Sequence, residues 1–337
     1  FAGSIGIIGI ALILSISTGV NAYISSIEKE TLSEYPLSIQ STGIDMSAMM
    51  GEPVKKNNSE VKVVDMMENM FSKIGSNDLK NLKAYIEEHK GINNYARAVE
   101  YDYGISPQIY ANDQYGIRQV NPDATMKKLG MGTSSNSMMS SMMNTNVFYS
   151  LPSHASLYDD QYNIKAGHWP KNKNECVLVL SKKGGISDFM LYTLGLRDPA
   201  QLDQMLKAFS EEKNIKVTTG KQGYRYNDLL GITFKVVNAS SYYQYDDTYK
   251  VYKDKSNDTN YIHSLVQNGS DLKIVGVVQP KESTNASMLA MGIYYPKTLV
   301  TSTIQEAENS EIVKAQLENK NINVITGQSF NDQSQKS

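Results

Sequence analysis

Few side chains in this sequence are spaced for catalysis. The four histidines, His89, His154, His168 and His263, are scattered, with no HExxH or other metal-ligand spacing. No GxSxG nucleophile elbow occurs. "TTGKQG" at Thr218–Gly223 has the look of a phosphate loop, but it lacks the upstream glycine and the Ser/Thr after Lys221, and reads as a turn. Asp159-Asp160 and Asp246-Asp247 are paired carboxylates in tyrosine-flanked turns, where alternating side chains would point apart. The expectation is a protein that is not an enzyme, with no catalytic, cofactor-binding or metal-ligating residue to assign and no cofactor of its own.

Two stretches suit recognition instead. "SNSMMSSMMNTN" places Met138, Met139, Met142 and Met143 on one stripe if helical. Such a stripe can pack on the domain, offer an adaptable surface to a peptidic or hydrophobic substrate, or bind Cu(I) through its thioethers. Met46, Met49 and Met50 would strengthen either binding reading if they lie close in space. The second stretch is a tyrosine run: Tyr242, Tyr243, Tyr245, Tyr249 and Tyr252. These rings can stack on sugar or peptide, or simply pack a half-exposed hairpin. Cys176 is the only cysteine and opens the apolar run "CVLVL", so a buried strand position is expected and no internal disulfide can form.

Charge narrows the partners. With 33 Lys and Arg against 35 Asp and Glu, the net charge is -2 and there is no basic footprint for nucleic acid. Mean hydropathy is -0.39, yet the first charged residue is Glu28. That opening run, "FAGSIGIIGIALILSISTGVNAYI", is long enough to cross a bilayer. A cleaved leader is the competing reading, with "VNA" at Val20–Ala22 as its cleavage site. Gly3, Gly6 and Gly9 put small residues on the helix surface, where membrane helices pack closely. Residues 1–24 are therefore expected to be a transmembrane helix. After it, Glu28, Glu30 and Glu34 stand against a lone Lys29, which favours an outside face for the residues beyond about 25.

Residues 25–40 read as a helical stalk and residues 41–337 as a mixed α+β domain of one or two lobes. Val63, Val64, Met67, Met70, Phe71 and Ile74 recur at helical spacing, and Asp78 can cap a helix carrying Leu79, Leu82 and Ile86. "NYARAVEYDYGISPQIYA" reads as strands broken by Gly104 and Pro107. Residues 126–146 are a long Met/Ser-rich loop or mobile lobe. "DPAQLDQMLKAF" has Asp198 at N-cap and Pro199 at N1. A β-rich part follows with "GITFKVVNA", "YYQYDDTYKVY" and "KIVGVV", and the chain closes with a helix from Ser310 and the strand "INVITG".

Four stretches together resemble a known family: the opening run, "AGHWPKNKNECVLVL" (166–180), "SDFMLYTLGL" (187–196) and "SEIVKAQLENKNINVITGQSF" (310–330). They are similar to the permeases of the MacB/FtsX-like ABC transporter superfamily, in the form often fused to an ATP-binding domain. Residues 44–150 and 240–270 carry no motif of that family. The resemblance implies a first span followed by a large extracytoplasmic domain like the MacB periplasmic core. It implies a second permease copy in a dimer, an ATP-binding domain or subunit as partner, and the lipid bilayer as surroundings. ATP-driven motion would travel outward along the stalk, through Ser25 and Ser26, where no Gly or Pro interrupts "YISSIEKE". The alternative is a secreted or anchored extracellular binding protein for a metal or glycan. A membrane-anchored enzyme is a weaker third reading.

Overall fold

The computed structural model describes residues 14–21, 24, 37–44, 74–123, 146–211, 213, 220, 221, 223–284 and 287–331. The chain is mixed α+β. It divides into two compact units, Thr31–Val99 and the remainder, Phe1–Glu30 with Glu100–Ser337. Gly3, Gly6, Gly9, Ser25, Ser26 and Met138, Met139, Met142 and Met143 lie outside the described residues, as do Met46, Met49 and Met50 and most of the expected span and stalk. Residues 14–21 and 24 are helical, with Leu14, Ile16, Val20 and Ile24 all exposed. Among the described residues no helix is long and apolar enough to cross a membrane.

In the smaller unit β1 (Thr42–Ile44) pairs antiparallel with β2 (Ile74–Ser76), and α1 spans Leu79–Glu88. Ile74 thus starts a strand rather than ending the helix its spacing predicts. The Asp78 carboxylate accepts the Asn81 backbone N–H at 3.0 Å and so caps α1 as expected.

The larger unit is built on an eight-stranded sheet. Its elements are β3 (Gln108–Asp113), β4 (Gly116–Asn121), β5 (Phe148–Ser150), β6 (Tyr162–Gly167), β7 (Glu175–Val179), α2 (Asp188–Thr193), α3 (Pro199–Ser210), α4 (Tyr226–Leu229) and β8 (Thr233–Val237). The hairpin β9 (Tyr243–Asp246) and β10 (Val251–Asp254) follows, then α5 (Thr259–Gln267), β11 (Ser270–Pro280), β12 (Gly292–Tyr295), α6 (Lys297–Glu308) and α7 (Glu311–Glu318). The strand order is β4-β3-β8-β11-β7-β12-β5, with β6 also on β11. Only β11–β7 and β12–β5 are parallel pairs. Beside the long β11, β7 is buried on both faces: Cys176, Val177, Leu178 and Val179 have no exposed surface. Burial pushes the Cys176 thiol far up, so it stays an inert apolar filler.

The sheet is strongly curled. Phe148 on β5 and Phe234 on β8 meet edge to face, ring centroids 5.1 Å apart, although four strand spacings separate them, about 19 Å if flat. At the two edges, the Asp123 N–H just after β4 reaches Asn146 Oδ1 just before β5 at 3.3 Å. Asp123 and Asn146 therefore lie side by side. The curl begins in β11. Opposite β7 it carries an extra residue, Val275, between Ile274 and Gly276, and opposite Val277–Val278 β6 carries one, Lys165; bulges of this kind bend a strand. There the β6 backbone presses on β11. A Cβ on Gly276 would stand 2.1 Å from the His168 carbonyl oxygen, and one on Gly167, at φ +69°, 1.9 Å from that of Val275.

One core holds Ile109, Leu178, Phe234, Leu272, Ile274 and Ile293 from the sheet, with Met190 and Leu194 from α2 and its C-terminal end and Leu299 and Val300 from α6. A second, smaller cluster joins Tyr110 and Val237 to Ile262 and Val266 of α5. Two strand expectations fail. Residues 100–107 run without a ladder, so only 108–113 form a strand there. "INVITG" is a turn with a single bridge, Ile322 to Ser329. Its Asn323 side-chain oxygen accepts from the Ile325 and Thr326 N–H groups and Gly327 sits at φ +73°. Turn chemistry outweighs the β-branched residues.

Gly276→Ala is expected to cost about 1–3 kcal/mol through overpacking against backbone. The midpoint of denaturant unfolding checks this against Gly223→Ala, where an added Cβ meets nothing within 4 Å.

Candidate functional site

The tyrosine run does form a concave surface. A cleft of about 400 Å³ lies between the β9–β10 hairpin, the 3-10 turn Ala239–Tyr242, α5 and the start of α7. Hairpin register explains its aromatic wall: Tyr245 pairs directly with Tyr252 and Tyr243 with Asp254. Side chains two apart share a face, so Tyr243, Tyr245 and Tyr252 lie together. Tyr245 and Tyr252 pack with centroids 5.2 Å apart at 60°. Tyr245 is 43% exposed and Tyr252 9%.

The opposite wall comes from elsewhere in the chain. Tyr261 and Leu265, one turn apart on α5, line the cleft with Ser240, Ser241 and Gln244, and α7 contributes Glu311 and Ile312 after Ser310. Asp258 caps α5 by accepting the Tyr261 N–H at 3.2 Å, and the Tyr261 hydroxyl donates to the Ser241 carbonyl at 3.0 Å. Asn238 caps the 3-10 turn at Ser240 N–H and ties it to α6 through the Thr303 carbonyl at 2.8 Å. The Tyr252 N–H bonds the Val324 carbonyl at 2.8 Å, which holds the segment after α7 against β10.

Of the three tyrosines singled out as a recognition surface, the structure places Tyr243 and Tyr245 on the cleft and Tyr242 behind it. The Tyr242 and Tyr110 hydroxyls share a hydrogen bond of 2.7 Å over β3. Burial, the Tyr110 partner and the Asp254 charge push the Tyr242 hydroxyl far up, so it remains a neutral bracket for the hairpin. Tyr249, also in the run, lies off the cleft, with Lys253 Nζ 4.4 Å from its ring centroid. Tyr261 and Glu311 escaped the sequence reading because no local spacing links them to the hairpin.

Glu311 is the one charged side chain among the residues that line the cleft. No Lys, Arg or His lines it. The Tyr252 hydroxyl is raised by burial first, then by the charges of Glu311, Tyr245 and Glu318. The turn beyond is held by Asp246, whose carboxylate pairs with Lys253 and accepts the Thr248 and Tyr249 N–H groups at 2.9 and 3.0 Å. Lys253, then those N–H groups, hold the Asp246 carboxyl below its usual value of 3.8. Lys250 takes the left-handed conformation, φ +56°, that closes the turn. Among the described residues no group of three His, Cys, Asp or Glu could hold a metal ion. What this arrangement offers is recognition: aromatic faces, small hydroxyls and an acidic rim.

Compared with protein-family models, with curated proteins and with solved structures, the chain matches none.

Tyr242→Phe is expected to cost about 1 kcal/mol by stranding the Tyr110 hydroxyl, whereas Tyr245→Phe leaves the unfolding midpoint unchanged. The Asp246 carboxyl is lower when folded than unfolded, so its stabilisation is complete above about pH 4 and is lost as pH falls through the folded value. Thermal melts from pH 7 down to pH 2 should show a smaller acid-dependent loss in Asp246→Asn than in the parent chain.

Proposed function

We propose that the chain is the first membrane span and extracytoplasmic domain of an ABC transporter permease of the MacB/FtsX-like kind. Its folded part is a non-catalytic module that couples ATP-driven motion to the export or sensing of a substrate such as a peptide, lipoprotein or drug. What supports this reading is the resemblance itself: two of its stretches, 166–180 and 187–196, share one core, and a third, 310–330, lies by the hairpin cleft. Residues 166–180 contain the end of β6 and all of β7, both paired with the bulged β11. Residues 187–196 form α2, whose Met190 is buried in the same core with Leu194 just beyond it. Residues 310–330 supply α7, one wall of the cleft, and the turn that bonds β10.

The exposed apolar side chains of residues 14–24 add support, since lipid would cover them. In this reading the partners are an ATP-binding domain, fused or separate, a second permease copy and the bilayer, with the chain beyond about residue 25 outside the cell. The open cleft also favours a second reading, an extracellular binding protein released or anchored behind its leader.

Coupling through a stiff stalk predicts that Ser25→Gly with Ser26→Gly lowers transport severalfold while ATP hydrolysis by the assembled transporter is unchanged. Transport and hydrolysis measured in reconstituted vesicles check this. Unaltered transport would remove mechanical coupling, and recovery from culture medium of a mature chain starting at Tyr23 would establish the second reading.

A further inference from the structure

The cleft combines tyrosine walls, a carboxylate and no cation. Tyr245 and Tyr252 stand at 60° to each other, making a corner rather than a flat platform. A sugar ring needs a flat face to lie on, while a compact cation fits a corner where negative ring faces converge. Glu311 stands on the rim, is exposed, and enters none of the ion pairs formed among the described residues. Of the lysines nearest in sequence to the tyrosine wall, Lys253 pairs with Asp246 and covers Tyr249, Lys255 pairs with Asp258 at 3.5 Å, and Lys250, in the hairpin turn, does not line the cleft. Glu311 is thus left open to a cationic ligand.

The geometry points to a binding site for an organic ammonium group, seated against Tyr245 and Tyr252 with Glu311 as its counter-ion. The same chemistry is carried by a lysine side chain in a peptide and by a free amine. Tyr243 and Tyr261 close the sides, and the Ser240 and Ser241 hydroxyls are placed to accept from an ammonium N–H. The site rests on the cleft alone and is independent of the permease reading, so binding and transport measurements fail separately.

The test uses the full chain labelled with fluorotyrosine and followed by fluorine NMR, with the signals assigned through Tyr245→Phe and Tyr252→Phe. Tetramethylammonium, spermidine, N-acetyl-lysine methylamide and a chitin oligosaccharide are titrated in turn at constant ionic strength, with potassium chloride as reference. The amines are expected to shift the Tyr245 and Tyr252 signals saturably, and potassium is not. Glu311→Gln should weaken that binding about fivefold and Tyr245→Leu about tenfold, with Glu306→Gln on the neighbouring helix unchanged. Tighter binding of the lysine amide than of tetramethylammonium identifies a peptide as the source, and the reverse order a free amine. Absence of a saturable shift, equal affinity in Glu311→Gln, or a response to the oligosaccharide alone would overturn the proposal.

Discussion

Two backbones that touch without side chains between them set the shape of the larger unit. Gly167 and Gly276 stand opposite each other where the antiparallel β6 ladder ends on the bulged β11, and the His168 N–H donates to the Val275 carbonyl at 3.0 Å there. A bulge shortens one side of a strand relative to its partner and bends it. Because β11 is the strand on which β6, β7 and β8 all pair, its bend is imposed on the whole sheet. The meeting of Phe148 with Phe234 follows from that bend, as does the approach of Asp123 to Asn146. Flattened, the sheet would leave β4 and β5 as distant open edges, a liability that curling reduces.

Curling also explains where recognition can occur. The inner face is filled by Leu, Ile, Val and Phe together with Met190, Leu299 and Val300. The outer face over β3 and β8 is only partly covered, by α5 through Ile262 and Val266. The β9–β10 hairpin extends past that helix on a bracket of two hydroxyls, Tyr110 and Tyr242. A hairpin of two strands is marginal alone. Here the Tyr252–Val324 bond, the Lys253–Asp246 pair and the Tyr242 bracket hold it from separate directions. The cleft is therefore wide yet stiffly framed, which lowers the ordering cost of binding.

Much of the fold was legible because its signals were local. Asp78, Pro199 and Ser310 marked helix starts, and "CVLVL" and "KIVGVV" read as buried strands because β7 and the middle of β11 are apolar on both faces. Non-local features were not. Nothing in "KIVGVV" announces that its glycine lies under His168, and nothing near Tyr245 announces Glu311, which is brought there by a chain reversal after α6. "INVITG" misled for a related reason. Its β-branched residues suit a strand, but the Asn323 side chain satisfies the local N–H groups first, and no free strand stands beside it except for one bridge. The tyrosine run could be read as a stacking surface or as hairpin packing, and alternation alone could not say that Tyr242 precedes the strand and turns inward.

The division between Tyr242 and its neighbours bears on how such a surface can change without loss of fold. Tyr242 and Tyr252 are held by hydrogen bonds, at the hydroxyl and the backbone N–H, whereas Tyr245, though it packs on Tyr252, is 43% exposed and Glu311 is exposed. Residues of the first kind set the frame; residues of the second kind face only what enters the cleft. Substitutions at the exposed positions can alter ligand preference at small cost in stability, because the curl of β11 and the bracket behind the hairpin do not depend on them. A surface of this construction can vary at its exposed positions and is fixed where it meets the core.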